Sequence, residues 1–284
     1  MDYFIENTYL RATVNARGAE LSSLYNRNTQ AELLWQGSPA IWNGHSPLLF
    51  PIVGKLKDDQ YQWEGKTYTM PKHGFAKSSL FTLSAQTADA ITLTLTESAE
   101  TFSGYPFAFA LDVSFTLVGN RLEILHSVRN PSGTETLPFS IGAHPAFNCD
   151  IGDSLVFEHD EIPLAYRLDE NFLLSQSPTS VPLKEKTLPI TKDLFEKDAL
   201  IFQNLRSRSA VLHRQKTGDT LRMDWFSAPV LGIWAKSGAP YVCVEPWYGI
   251  DDHAIVTGQL SKKPHIILLP PLQRFCFPVH ITAL

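Results

Sequence analysis

FAFALDVSFTLVGNRLEILHSV, residues 107–128, decides the fold. Phe107, Phe109, Leu111, Val113, Phe115 and Leu117 alternate up to Gly119-Asn120, and Leu122, Ile124, His126 and Val128 then resume the pattern. A period of two places these side chains on one face of an extended chain, and a two-residue Gly-Asn break lets the chain return beside itself. The stretch therefore predicts a long antiparallel hairpin with one face on a core. Working outward, Ile91, Leu93 and Leu95 alternate with threonines, and Phe275, Phe277, Val279 and Ile281 form an alternating carboxy-terminal strand. A second hairpin is expected between the segment around Val211 and Leu221, Met223 and Trp225, turning across KTGDT at 216–220.

Helical periodicity is poor, with short helical turns expected only at 194–200. The Pro-rich SPTSVPLKEKTLP, 177–189, reads as a long surface loop. Many strands joined by hairpins, without alternating helices, predict an all-β fold: a large antiparallel β-sandwich. The 284 residues would allow two small domains, but sandwiches reach ~250 residues undivided, and no linker or fixed-period repeat is present. One domain over 1–284 is expected.

With 44% hydrophobic and 19% charged residues, the chain can build a sizeable core and lies far from disordered compositions. Its 24 basic and 29 acidic residues give a net charge of −5 with no basic block, which argues against nucleic-acid binding. Cys149, Cys243 and Cys276 are odd in number and lack CxxC spacing, so neither a disulfide framework nor a zinc knuckle is suggested, and a reducing cytoplasm fits best. The amino terminus has no basic n-region before an apolar stretch, and no apolar run approaches ~20 residues. Neither export by that route nor a membrane partner is expected. GxGxxG, Walker A, HExxH and GxSxG are missing, so we expect no cofactor and assign no metal.

Three proline-bounded apolar segments carry polar residues: KHGF (72–75), GAHPAFN (142–148) and VCVEPWYGIDD (242–252). Glu245 interrupts an apolar strand, where lost solvation would raise its pKa toward the range of a general base; the alternative is a strand-edge glutamate with its head in water. Pro246 is expected to end regular pairing there. His144, held extended by Pro145, could exchange protons at neutral pH or simply pack as a hydrogen-bonded core residue, and His73 has the same two readings. Trp247, beside the carboxylate, offers a flat apolar face for a sugar. The pairs Asp58/Asp59 and Asp251/Asp252 could bind a hard cation but read better as solvated turns.

SPLLFPIVGKLKDDQY (46–61), HGFAK (73–77), GAHPAFN and VCVEPWYGIDD, in this order and spacing, resemble the aldose 1-epimerase (galactose mutarotase) superfamily, nearest its LacX-like branch. The ordered set is specific where HPAFN or EPW alone would be weak, and the likeness runs from about Gly18 to the terminal strand. The resemblance implies a galactose-mutarotase-like β-sandwich with an open cleft, Glu245 as base, His144 as acid and His73 assisting. It further implies sugar contacts from Lys55 and Lys77, where arginine is common in the family, and from Asp198; Trp247 and Asn148 complete the candidate binding set. A lysine lacks the planar fork of arginine.

The implied reaction interconverts α and β anomers of a hexose such as galactose or glucose. A base takes the anomeric hydroxyl proton while an acid protonates the ring oxygen, and the opened chain rotates before closing. The partner is then a small-molecule hexose or hexose phosphate; oligomeric state is not legible. Competing classes are a glycoside hydrolase, which would pair Glu245 with Asp198, Asp251 or Asp252, and a carbohydrate-binding protein without activity.

Overall fold

A computed structural model of the chain describes residues 1–218 and 220–284. The fold is all-β, a large antiparallel sandwich, as the alternation predicts. One sheet has nine strands in the order Thr187–Pro189, Ser154–Phe157, Ser209–His213, Thr220–Asp224, Arg274–Ala283, Arg121–Arg129, Ala110–Val118, Ala90–Thr96 and Thr82–Gln86. The deciding hairpin lies inside it: Leu117 pairs with Leu122, and Gly119 takes φ 58° at the first central position, where a II′ turn needs positive φ. Leu111, Val113, Phe115 and Leu117 are buried. On the opposite face, Thr94 Oγ1 donates to Asp112 Oδ1 (2.6 Å) and Thr92 bonds Ser114 (2.8 Å), a polar ladder suited to water.

The second large sheet orders Leu200–Gln203, Val230–Trp234, Tyr241–Tyr248, Ile141–Ala143 and Leu48–Leu49, with Ala146–Asn148 also pairing Tyr241–Tyr248. Tyr248 packs edge-on against Phe275 and Phe277 of the nine-stranded sheet, 5.0 and 5.3 Å between ring centres. Even-numbered residues of Tyr241–Tyr248 thus face the interior of the sandwich. The odd-numbered Tyr241, Cys243, Glu245 and Trp247 face the other way, since strand side chains alternate.

Three local expectations need correction. The α-helix is Ala99–Gly104, started by a capping box between Ser98 and Thr101, while 194–200 forms turns that lead into a strand. The helix is too short to show a repeat, so only its cap was readable. The 177–189 segment is not a free loop: Val181, Leu183 and Leu188 are buried, and Thr187–Pro189 closes one edge of the large sheet, where proline costs no ladder bond. Strand pairing also continues through Pro246, which lies opposite Leu231. The second hairpin forms with His213 opposite Thr220, its Asp219 lying outside the described residues.

Candidate active site

The register of Tyr241–Tyr248 builds the site. Gly142 pairs with Trp247 and Ala146 with Cys243, so the intervening His144 stands opposite Glu245 on the same face. His144 Nε2 lies 3.2 Å from Glu245 Oε2, without the alignment of a hydrogen bond, and Glu245 Oε2 and His144 Nδ1 have no hydrogen-bond partner. Glu245 is 2% exposed and His144 8%. Burial pushes the Glu245 carboxyl well above its ordinary range, a rise that Lys72 opposes, and burial pulls His144 down to about 3.

Trp247 makes a floor beside this pair. Its indole crosses two residues that lack side chains: a Cβ on Gly142 would stand 2.6 Å from its Cδ1, and one on Gly232 would stand 2.6 Å from its Cζ2. Trp42 stacks on the His144 ring at 5.3 Å and 25°, and on Tyr241 at 5.4 Å; Trp234 meets His144 edge-on. Trp42, Trp234 and Trp247 line, with His144 and Glu245, a cavity of about 500 Å³, within the ~300 to 1,000 Å³ usual for small-molecule sites.

His73 reaches the same cavity from another segment. It adopts φ 67°, its N–H donates to Gly54 O at 2.9 Å, and Gly54 N–H donates to His73 Nδ1 at 3.1 Å. A ring nitrogen that accepts a backbone N–H carries no proton, so His73 is a neutral ring that offers Nε2–H as a donor. Burial and then Lys72 hold its pKa well below the usual value, in agreement. His73 also meets His144 edge-on, with centroids 6.0 Å apart. Asp251 supports the Gly54 loop: its Oδ1 accepts Lys55 N–H at 2.7 Å, and a Cβ on Gly54 would lie 2.4 Å from its carboxyl carbon.

Of the expected binding residues, Lys77, Asp198 and Trp247 line the cavity. Lys77 Nζ donates to Lys72 O at 2.9 Å, and Asp198 is fixed at φ 62°, with Oδ1 accepting Ala199 N–H. Two others do not reach it. Lys55 sends its ammonium to Asp59, 2.5 Å away, and Asn148 Nδ2 donates to Glu32 O at 2.9 Å. The solvated-turn reading holds for exposed Asp58/Asp59 but is corrected for Asp251/Asp252, which are 1% and 4% exposed. Asp251 lines the cavity, and Asp252 forms a buried ion pair with Lys263, 2.6 Å apart.

Sequence reasoning missed Lys72, Trp42 and Trp234, all cavity-lining. Lys72 sits next to His73 in a quoted motif, a signal available but unused. Trp42 and Trp234 lie just outside the quoted motifs, and it is packing against His144 that brings them in. The arrangement offers a carboxyl and an imidazole in contact, a neutral imidazole donor, cations at Lys72 and Lys77, and an aromatic floor.

The fold is that of the aldose 1-epimerase family, and the chain belongs to it: the family's model matches residues 1–271. Within it the chain is similar to the chromosomal LacX protein of Lactococcus lactis subsp. lactis, at 32% identity over 99% of this chain and 98% of that one. It is also similar to the structure of a galactose mutarotase related enzyme from Lactobacillus acidophilus, with TM-score 0.94, 34% identity, and 100% and 97% of the two chains covered. A galactose mutarotase-like protein from Lactobacillus casei gives TM-score 0.94 and 30% identity, with both chains fully covered. The fold is thus the galactose-mutarotase-like sandwich.

Proposed function

We propose that this protein is an aldose 1-epimerase that interconverts the α and β anomers of a free hexose, galactose or glucose. The observation that carries the reading is the contact between His144 Nε2 and Glu245 Oε2, 3.2 Å apart at the edge of a cavity of sugar size. The two oxygens that exchange protons in mutarotation, the anomeric hydroxyl and the ring oxygen, are bonded to the same carbon. An acid and a base must therefore stand next to each other to serve both.

The pair cycles without outside protons. Burial favours the neutral pair, with one proton on Glu245; when that proton crosses the contact to His144, Glu245 takes the anomeric hydroxyl proton, the C1–ring oxygen bond breaks, and His144 protonates the departing oxygen. The aldehyde is left between a neutral acid and a neutral imidazole. After rotation about the C1–C2 bond, His144 takes back the proton, the bond re-forms on the other carbonyl face, and Glu245 returns its proton to O1. Each proton-transfer group of this kind contributes ~10² to 10⁴ in rate.

His73 Nε2–H is suited to hold a sugar oxygen, and Trp247 to lie against the C–H face of the ring. Lys77 and Asp198 remain in the substrate-binding set, with Lys72 added to it. Lys72 and Lys77 on one cavity support a second reading, in which the hexose carries a 6-phosphate. Among the described residues no helix is long and apolar enough to cross a membrane. We place the activity in the cytoplasm on the cysteine usage, as one domain over 1–284.

Polarimetry on freshly dissolved α-galactose, α-glucose and their 6-phosphates tests both readings. Acceleration over buffer supports the function, and none with any of the four sugars refutes it. The preferred sugar decides between the two readings.

A further inference from the structure

Cys243 has no part in the reaction above, yet it lies on the cavity-facing side of its strand, two residues before Glu245. One ligand atom each from His144, Cys243 and Glu245 falls within 4.8 Å of the others, and all three residues are buried. Glu245 Oε2, which faces His144 Nε2 at 3.2 Å, is a buried polar atom without a hydrogen-bond partner. An imidazole nitrogen, a thiol sulfur and a carboxyl oxygen are the donor set of zinc and its heavier congener cadmium, rather than of magnesium or calcium.

We propose that His144, Cys243 and Glu245 form a site for a borderline-soft divalent cation, Zn²⁺ or Cd²⁺. The ligands of tetrahedral zinc stand roughly 3.4 to 3.6 Å apart, from bond lengths of about 2.0 to 2.3 Å. No separation in the cluster exceeds 4.8 Å, so none must close by more than about 1.4 Å, within reach of rotations about the Cys243 and Glu245 side-chain bonds. On binding, the S–H bond of Cys243 breaks and sulfur donates to the metal. The thiol proton, with any proton on Glu245, leaves to solvent. The fourth position opens toward the cavity and takes water.

The cation is not a cofactor of the proposed reaction but its competitor. It occupies the lone pairs that would accept protons, so the protein holds either cation or sugar. The cation site itself stands whether or not the epimerase reading does.

The test is a Cd²⁺ titration of the full chain, freed of metal by a chelator, that follows the ultraviolet thiolate-to-cadmium charge-transfer band. It is run in a Cys276→Ser background to remove the exposed thiol. We expect a band that saturates at one cation per chain, disappears with Cys243→Ser, and needs at least about tenfold more Cd²⁺ with His144→Ala or Glu245→Gln, the lower end of what even an outer-shell partner costs. Absence of the band, or a band that survives Cys243→Ser, overturns the proposal. Should Cys243→Ser fail to fold, zinc X-ray absorption on the background protein replaces it: one sulfur at about 2.3 Å supports the site and a sulfur-free shell contradicts it. Neither measurement contains sugar or reads turnover, so failure here and failure of the epimerase reading are separable.

Discussion

Gly232 gives up its side chain to Trp247: a Cβ at that position would stand 2.6 Å from Cζ2 and 2.7 Å from Cη2 of the indole. The two residues lie on adjacent strands, Gly232 pairing with Glu245, so the space it leaves lets the floor of the cavity lie beside the carboxylate. Gly232→Ala is expected to lift the ring. Overpacking of this kind costs about 1 to 3 kcal/mol. Urea unfolding should show that loss, and KM for the hexose should rise more than kcat falls. Unchanged stability and KM would mean that the indole is not seated by this contact.

Lys72 and Lys77 are the cations of the cavity, and Lys72 also lies over the Phe172 ring, 4.9 Å from its centre. If the substrate is a hexose 6-phosphate, Lys72→Met removes a charge-assisted contact of about 1.5 to 3 kcal/mol, so kcat/KM should fall about ten- to hundredfold. For a free hexose the loss should be small. Paired assays on glucose and glucose 6-phosphate check this.

The Asp252–Lys263 pair is 2.6 Å long, with side chains 5% and 3% exposed, and Asp252 Oδ2 also accepts Lys57 N–H at 3.0 Å. Lys263→Met leaves an uncompensated buried carboxylate and should cost about 3 to 5 kcal/mol, whereas a double variant with Asp252→Leu should recover part of that loss. A double-mutant cycle by urea unfolding measures the coupling. Additive single losses would contradict it.

His126 is 4% exposed, stacks on Phe277 at 5.0 Å, and is held by burial at a pKa of about 4. Its folded pKa is below the ordinary 6.5, so its neutral form stabilises the fold above pH 6.5. That contribution is lost as pH falls from 6.5 toward 4, because the unfolded chain binds the proton first. The loss is on the order of 3 kcal/mol. Unfolding free energies measured across pH 4 to 7 should fall less steeply in His126→Gln than in the parent protein.

The sandwich was legible because period-two alternation is a direct image of one-sided burial: Leu111 to Leu117 and Leu122 to Val128 predict the hairpin almost residue for residue. Glu245, His144 and His73 were legible as polar residues in apolar, proline-bounded settings, and one cavity collects them. Lys55 and Asn148 were not, because motif position says nothing of where a long side chain turns, and each has a nearer partner in Asp59 or Glu32. Trp42 and Trp234 escaped for the opposite reason. Stacking on His144 depends on register between distant segments, which leaves no local pattern. Asp251 and Asp252 looked like a turn because two adjacent carboxylates usually seek water, and here backbone N–H groups and Lys263 replace it.

The central claim is that Glu245 and His144 pass protons through one sugar. Polarimetry of α-galactose or α-glucose with the parent protein and with Glu245→Gln, matched for fold by circular dichroism, tests it most directly. The account predicts rapid approach to the equilibrium rotation with the parent and a rate near that of buffer with the variant. Equal acceleration by both proteins would contradict it.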